Sequence, residues 1–489
     1  MGQYLKWRLA IGASFFFAVA LLGALVKQEV IGLNLAGAGS LYSGRGGTLS
    51  ADDSRYLIRT VLNESLLNRG SECFDEVSSF VVITSIAEEV PDAVLANQVE
   101  LDGVDGAQAW CTIVVGDEKS DAAWERAEVA EAQRSREGHE STSDIRWLPR
   151  TLWVPLSMQV RLEAALASIA KTPVKSYTRK NIGFLVAVAL GARRVYETDD
   201  DNGLEGGRGA ALQRLGNSEA CMNGGVDVFV KPKGTTVSEA ISSSVWNAYA
   251  HFGHPEMWPR GFPLSQISPA RESSMETVEQ PSSSANDQCV LVGQFMQNGD
   301  PDVDAITRLT TYPDPMGKSP TVDLTFDAAA PPLLLEPFTY CPTNTQSTLH
   351  LEPAFMLMFI PMGVPFRVCD IWRGYFAQRL LWLVDGRVAF LPPVARQDRN
   401  PHSYYDDFLD ELVLYTDTEA YLRFMACWTP SADAVALSDA ALELANDLAT
   451  RGFWHGDTVQ GLTAFVRDMK MLGAVDPLIR EASRASFCP

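Results

Sequence analysis

The sequence predicts an α/β fold with a mainly helical C-terminal region, behind an N-terminal transmembrane helix. Three observations carry this reading. Short apolar and β-branched runs, FVVITSI at 80–86 and AWCTIVVGD at 109–117, alternate with helical patterns, as in a sheet covered by crossover helices. The string LVAVALGARRVYETDDD reads as helix, glycine stop, strand and acidic turn. Beyond residue 400 the apolar spacing is largely helical, as in DDFLDELVLY and DAALELANDLA.

The transmembrane element rests on residues 9–26, LAIGASFFFAVALLGALV, an 18-residue run with Ser14 as its one clearly polar side chain. That length spans a bilayer, and Lys6 and Arg8 in front of it favour a cytoplasmic N-terminus. A cleaved signal peptide is the rival, but its small-residue site, Ala36-Gly37-Ala38, lies far past the apolar run. The expected layout is a cytoplasmic tip and signal anchor over 1–27, a stem over 28–72 whose Gly-, Ser- and Ala-rich part, 28–55, reads as flexible, and the luminal α/β domain from 73 onward. Eight cysteines in 489 residues are too sparse for a disulfide scaffold; they admit one or two bridges and leave the pairing open. Residues 118–145 read as a charged surface insertion and 271–287 as a polar break.

Composition removes some classes of function. With 46% hydrophobic residues the chain can bury a large core. A net charge of −21 opposes phosphate backbones, which argues against a nucleic-acid partner. A small nucleotide with its own metal ion is compatible. No Gly-x-Ser-x-Gly elbow or Walker loop appears, which weakens hydrolase and P-loop readings.

The acidic turn is the strongest chemical signal. Asp199, Asp200 and Asp201 follow a strand directly, and three adjacent carboxylates repel unless solvated or neutralised. In open α/β sheets ligands gather at the carboxyl ends of strands. Asp-x-Asp spacing lets two carboxylates approach one divalent ion whose shell a nucleotide diphosphate completes. A solvated acidic turn is the plain alternative. An EF-hand fails, because Ala210 stands at the twelfth position from Asp199. SYTRKNIG at 176–183 puts Arg179 and Lys180 at a helix start one helix earlier, where phosphate oxygens are attracted, and Asp117 ends another strand. WPRGFP at 258–263 is a rigid aromatic segment that walls a donor pocket or seals the core around Arg260. His251 and His254 suggest zinc, but no third ligand has matching spacing.

VVITSI, VVGD, YTRKNIGFLVAVALGARRVYETDDDN, WNAYAHFGHPEMWPRGFPLSQI, DPDVDAITRLT and FRVCDIWRGYFAQRLLW, in that order, resemble the STELLO-like family of Golgi glycosyltransferases over roughly residues 75–400. The resemblance implies a type II Golgi membrane protein with a glycosyltransferase-A-like nucleotide-binding sheet over 73–320, an acceptor-side family region over 321–400 and a helical region over 401–489. It implies Mn²⁺ or Mg²⁺ as cofactor, a nucleotide-sugar donor and a glycan or glycoprotein acceptor. Another membrane-bound glycan synthase is a further implied partner. The alternative is a non-catalytic scaffold or glycan-binding protein on the same fold.

Carried to single residues, the resemblance and the residue reading agree on Asp199 and Asp201 as metal ligands, with Asp200 as the alternative partner. Thr84, Ser85 and Asp117 map around the nucleotide, and Arg179 and Lys180 would neutralise its phosphates. For the base, DPDVDAI supplies Asp302 and Asp304, and CDIWRGY supplies Asp370 beside Trp372 and Arg373. Asp304 and Asp370 are the favoured pair; the plain reading is that Asp370 pairs with Arg373 and Trp372 is core.

Overall fold

Helix α1 (Ala51–Leu62) starts where the Ser50 side chain accepts the backbone N–H of Asp53. Its Ile58, Val61 and Leu62 are buried, and Arg55 donates to the carbonyl of Leu472 at the far end of the chain. Residues 51–62 of the expected stem are therefore a packed element, because their apolar residues recur at helical spacing. The computed structural model describes residues 50–64, 73, 77–87, 90–102, 110–120, 150–206, 211–212, 221, 230–232, 244–267, 277–279, 289–311, 323–400 and 403–484. The anchor expected over 9–26, most of the 118–145 insertion and most of the 271–287 break lie outside them. Among the described residues no helix is long and apolar enough to cross a membrane.

Strands β1 (Ser79–Ser85) and β2 (Trp110–Gly116) are nearly continuous buried runs, the pattern of parallel strands covered on both faces. Helix α2 (Asp92–Asp102) connects them. β3 (Thr151–Val154) pairs in parallel with β2, and β4 (Arg194–Thr198) in parallel with β1. Between β3 and β4 runs α3 (Lys180–Ala189), buried along its whole length. A Cβ at Gly183 would come within 2.5 Å of Val82 and 3.0 Å of Val115, so this glycine sets how closely α3 lies on β1 and β2. Gly183→Ala should cost about 1–3 kcal/mol through overpacking, read from denaturant unfolding.

Past the acidic turn the sheet continues with other hands. β5 (Asn202–Leu204), β6 (Cys289–Gly299), β7 (Ser347–Leu351) and β8 (Gly386–Gln397) give the order β3-β2-β1-β4-β7-β6-β8, extended by short strands at Leu333–Leu334, Val230–Pro232 and Thr277–Glu279; β5 pairs with β8. β7 is antiparallel to β4 and β6, and β8 is parallel to β6. Residue 320 is thus no domain boundary: β7 and β8, from the segment expected as a separate acceptor-side region, are interior strands of the same sheet.

Helix α4 (Cys369–Leu381) is buried over all of its residues and packs against α5 (Leu412–Cys427) and α6 (Leu437–Thr450), while α7 (Gly456–Met471) packs on α6 and on α3. Trp372 of α4 stacks on Tyr421 of α5 at 4.7 Å, and Asp468 of α7 accepts the backbone N–H of Ser168. A chain cut near residue 400 exposes this interface and is expected not to yield a folded protein. Bridges join Cys73 to Cys111 and Cys221 to Cys289, and Cys427 is disulfide-bonded as well, which exceeds the one or two bridges expected.

Candidate active site

The carboxyl ends of β1, β2 and β4 open onto one cavity of about 500 Å³. Its walls include Thr84, Ser85, Asp117, Arg179, Asp199, Asp200, Asp201, Asp302 and Asp370, so nine of the eleven residues singled out from the sequence converge. Lys180 and Asp304 do not line it.

Part of the positive charge answering the acidic turn is internal. The Lys180 side chain is 0% exposed, and its ammonium donates to Asp199 Oδ1 at 2.7 Å, the Thr198 carbonyl at 2.8 Å and the Tyr177 hydroxyl at 2.6 Å. Tyr177 in turn donates to the same Asp199 oxygen at 2.5 Å. Lys180 therefore holds the turn from beneath and does not face a donor phosphate. Arg179 is likewise committed: it donates to Gln159 Oε1 and to the carbonyls of Thr172 and Pro173, while Gln159 donates to the carbonyls of Gly116 and Val154. Arg179 braces the ends of β2 and β3, which the charge pattern alone could not reveal.

The other two aspartates are less compensated. Ser85 Oγ donates to Asp200 Oδ2 at 2.7 Å, and burial raises the Asp200 carboxyl. Asp201 Oδ2 accepts from Gln397 Nε2 at 3.2 Å, but its Oδ1 is buried with no hydrogen-bond donor. Burial, then the charge of Asp199, pushes Asp201 up to about 7. A buried, unsatisfied carboxylate oxygen beside two more carboxylates fits a hard divalent cation. Among the described residues no three His, Cys, Asp or Glu side chains form a ready metal cage, so such an ion needs oxygens from a ligand. Asp117 holds the cavity rim, accepting the N–H groups of Glu118 at 2.7 Å and Ser176 at 3.2 Å.

Across the cavity Arg260 of the WPRGFP segment is the centre of a buried triad. It binds both oxygens of Asp302, at 2.7 and 2.9 Å, and both of Asp370, at 3.2 and 2.9 Å. Burial alone would raise Asp302, but the adjacent guanidinium brings it down to about 2; burial and the charge of Asp302 leave Asp370 raised. The Asp370–Arg373 pair of the plain alternative is not the one formed: Arg260 takes Asp370. Arg373 and His350 bind Glu197 of β4, and although burial opposes ionisation, the Arg373 charge and then His350 bring Glu197 down to about 2.

Asp304 is not placed as a base. Its Oδ1 accepts the Thr307 N–H at the start of Ala305–Thr311, and its Oδ2 accepts Trp258 Nε1 at 2.5 Å. It is a helix cap, as its position before a helical run allowed. His251 and His254 bond to the carbonyls of Pro331 and Thr325. Phe366, Arg367, Gln397 and Arg399 also line the cavity; the first two open the FRVCDIWRGY string without being singled out there, and Gln397 and Arg399 carried no sequence signal, because they come from a strand end far from the acidic turn in the chain.

The fold is a mixed α/β sheet with a cavity at the carboxyl ends of its parallel strands β1, β2 and β4. Residues 367–489 match the family of STELLO glycosyltransferases. It is 29% identical over 331 residues to two Arabidopsis thaliana proteins, "Probable glycosyltransferase STELLO1" and STELLO2, a stretch covering 66% of this chain and 39% and 40% of those proteins. The chain thus spans about two fifths of the curated relatives it matches. Similar solved structures include a mycobacterial protein (TM-score 0.30, 10% identity, 76% of this chain and 79% of that one). Another is a mannosyltransferase from Pyrobaculum calidifontis in complex with GDP-Man and Mn²⁺ (TM-score 0.26, 11% identity, 85% of this chain and 94% of that one).

Proposed function

We propose that the chain is a metal-dependent glycosyltransferase that moves a sugar from a nucleotide-sugar donor to a glycan or glycoprotein acceptor in the Golgi lumen. The observation that carries this reading is the convergence of three parallel strand ends and the Asp199–Asp201 turn on one cavity, with a buried Asp201 oxygen left without a donor. Asp200 and Asp201, with the remaining oxygen of Asp199, would hold Mn²⁺ or Mg²⁺, which supplies counter-charge for a departing nucleoside diphosphate.

The chain's own residues do the remaining work. Lys180 and Tyr177 fix Asp199 from below, so the turn is preorganised. Thr84, Ser85 and Asp117 offer polar groups to the nucleoside. Arg399, which donates to Gln397 Oε1 at 3.1 Å beside Asp201, is the cation better placed than Arg179 or Lys180 to meet donor phosphates. Asp370 is the base candidate, since it lines the cavity and its raised carboxyl favours holding a proton. Arg260 would position it.

The test is a donor screen: purified protein is incubated with UDP- and GDP-sugars, and release of UDP or GDP is followed with Mn²⁺ and with a chelator. Metal-dependent release from at least one donor is expected. Release unaffected by chelation would remove the metal from the proposal. The luminal placement rests on the 9–26 apolar run and accords with the disulfides, which persist in oxidising compartments. Protease protection of intact vesicles should spare the region after residue 28, and its digestion beside a surviving luminal control would refute that topology.

A further inference from the structure

Phe366 is an anomaly of the cavity: a large aromatic side chain left 60% exposed at its wall. Its ring meets Tyr177 edge-on at 5.5 Å, and Tyr177 donates to Asp199, so the exposed face lies one side chain away from the acidic turn. The next residue, Arg367, faces the other half of the site. Its carbonyl accepts from Arg260, the residue that clamps Asp302 and Asp370, and its own guanidinium is buried against the same cavity. Arg367 Nη2 is buried with no hydrogen-bond acceptor.

We infer that Phe366 and Arg367 form the acceptor subsite, and that the acceptor there is an uncharged pyranose ring. This rests on the donor-site reading above. An aromatic face matches the apolar C–H face of a sugar, and a spare N–H beside it matches a ring hydroxyl. The position is between the acidic turn, where a donor diphosphate would sit, and Asp370, which would take the acceptor proton.

Charge selects against an anionic acceptor. The Arg367 guanidinium is already paired with Glu411 at 2.5 Å and lies 3.7 Å from Asp407. Arg260 is outnumbered by its two carboxylates, Lys175 at the rim is paired with Glu118 at 2.8 Å, and Arg399, beside Gln397 and 3.6 Å from Asp300, belongs to the donor side. The spare N–H therefore serves a neutral oxygen, and a uronic acid would meet uncompensated negative charge.

The test is saturation-transfer NMR on the full chain, with UDP and Mn²⁺ present, using the methyl glycosides of glucose, galactose and mannose against methyl glucuronide and galacturonide. At least one neutral glycoside is expected to bind, and neither uronide. Phe366→Ala should weaken that glycoside about fivefold or more, in the range of an aromatic contact, while Phe366→Trp retains it. UDP affinity, measured on the same samples, should stay within about twofold of wild type in both variants, since only acceptor contacts are removed. Glycoside binding unchanged in Phe366→Ala, uronides bound as well as neutral rings, or UDP weakened by the same factor as the glycoside would each overturn the inference; the last would make Phe366 a nucleobase platform. Failure of UDP to bind wild type while a glycoside does would sink the donor site and leave this subsite standing. UDP binding with no glycoside binding would do the reverse.

Discussion

Asp201→Asn is expected to make the metal-free protein more stable and to abolish metal-assisted nucleotide binding. The two effects have opposite signs because they share one cause. Asp201 lies beside Asp199 and Asp200, and its buried Oδ1 has no donor, so the protein carries a carboxylate that its own interior compensates only in part. Asparagine keeps the shape and can still bond to Gln397, but removes the charge. Relief of burial and repulsion should raise unfolding stability by about 1 kcal/mol or more at neutral pH. Mn²⁺ and nucleotide should lose their mutual enhancement, a factor typically about 5–150. Calorimetric titration and thermal unfolding of one variant read both. A variant that is less stable and binds normally would make Asp201 an ordinary structural residue.

Glu197→Gln should be the most damaging single change to stability. Glu197 lies fully buried under the acidic turn, where it receives Arg373 of α4 and His350 of β7. Gln leaves the Arg373 charge without a counter-ion in the core, which typically costs about 3–5 kcal/mol. Its pH dependence follows from the depressed carboxyl. The folded value, about 2, lies below the ordinary 4.5, so the stabilisation is complete above pH 4.5 and is lost as pH falls toward 2. Asp302, also held at about 2, adds a loss in the same direction. Denaturant unfolding from pH 7 to pH 3 should show a steep decline in wild type and a shallower one in Glu197→Gln.

What the sequence shows and hides follows from the range of the interactions involved. Strand, helix, glycine stop and acidic turn between 183 and 203 are legible because apolar periodicity and turn chemistry are local. The convergence of Thr84, Ser85 and Asp117 on Asp199–Asp201 is legible too, since parallel strands share the edge at which they end. Pairing is not local. Lys180 is a cation at a helix start, and nothing in YTRKNIG says that its stem turns inward to Asp199. Asp370 sits three residues from Arg373 on one helix, yet Arg260, 110 positions upstream, takes it. Asp302 and Asp304 alternate in sequence, and that same alternation sends one into the cavity and the other to a helix cap. The supposed boundary at 320 fails for the same reason, because β7 and β8, which start at Ser347 and Gly386, insert into a sheet begun at Ser79.

The central claim is that the acidic turn takes a divalent cation only together with a nucleoside diphosphate. Titration calorimetry of UDP and GDP into wild-type protein, each with Mn²⁺ and with the metal chelated, tests it most directly. At least one nucleotide should bind in Mn²⁺ and lose most of its affinity without it, and Mn²⁺ alone should bind weakly. Nucleotide binding of equal strength in both conditions, or none in either, would contradict the account and favour a scaffold or glycan-binding role for this fold.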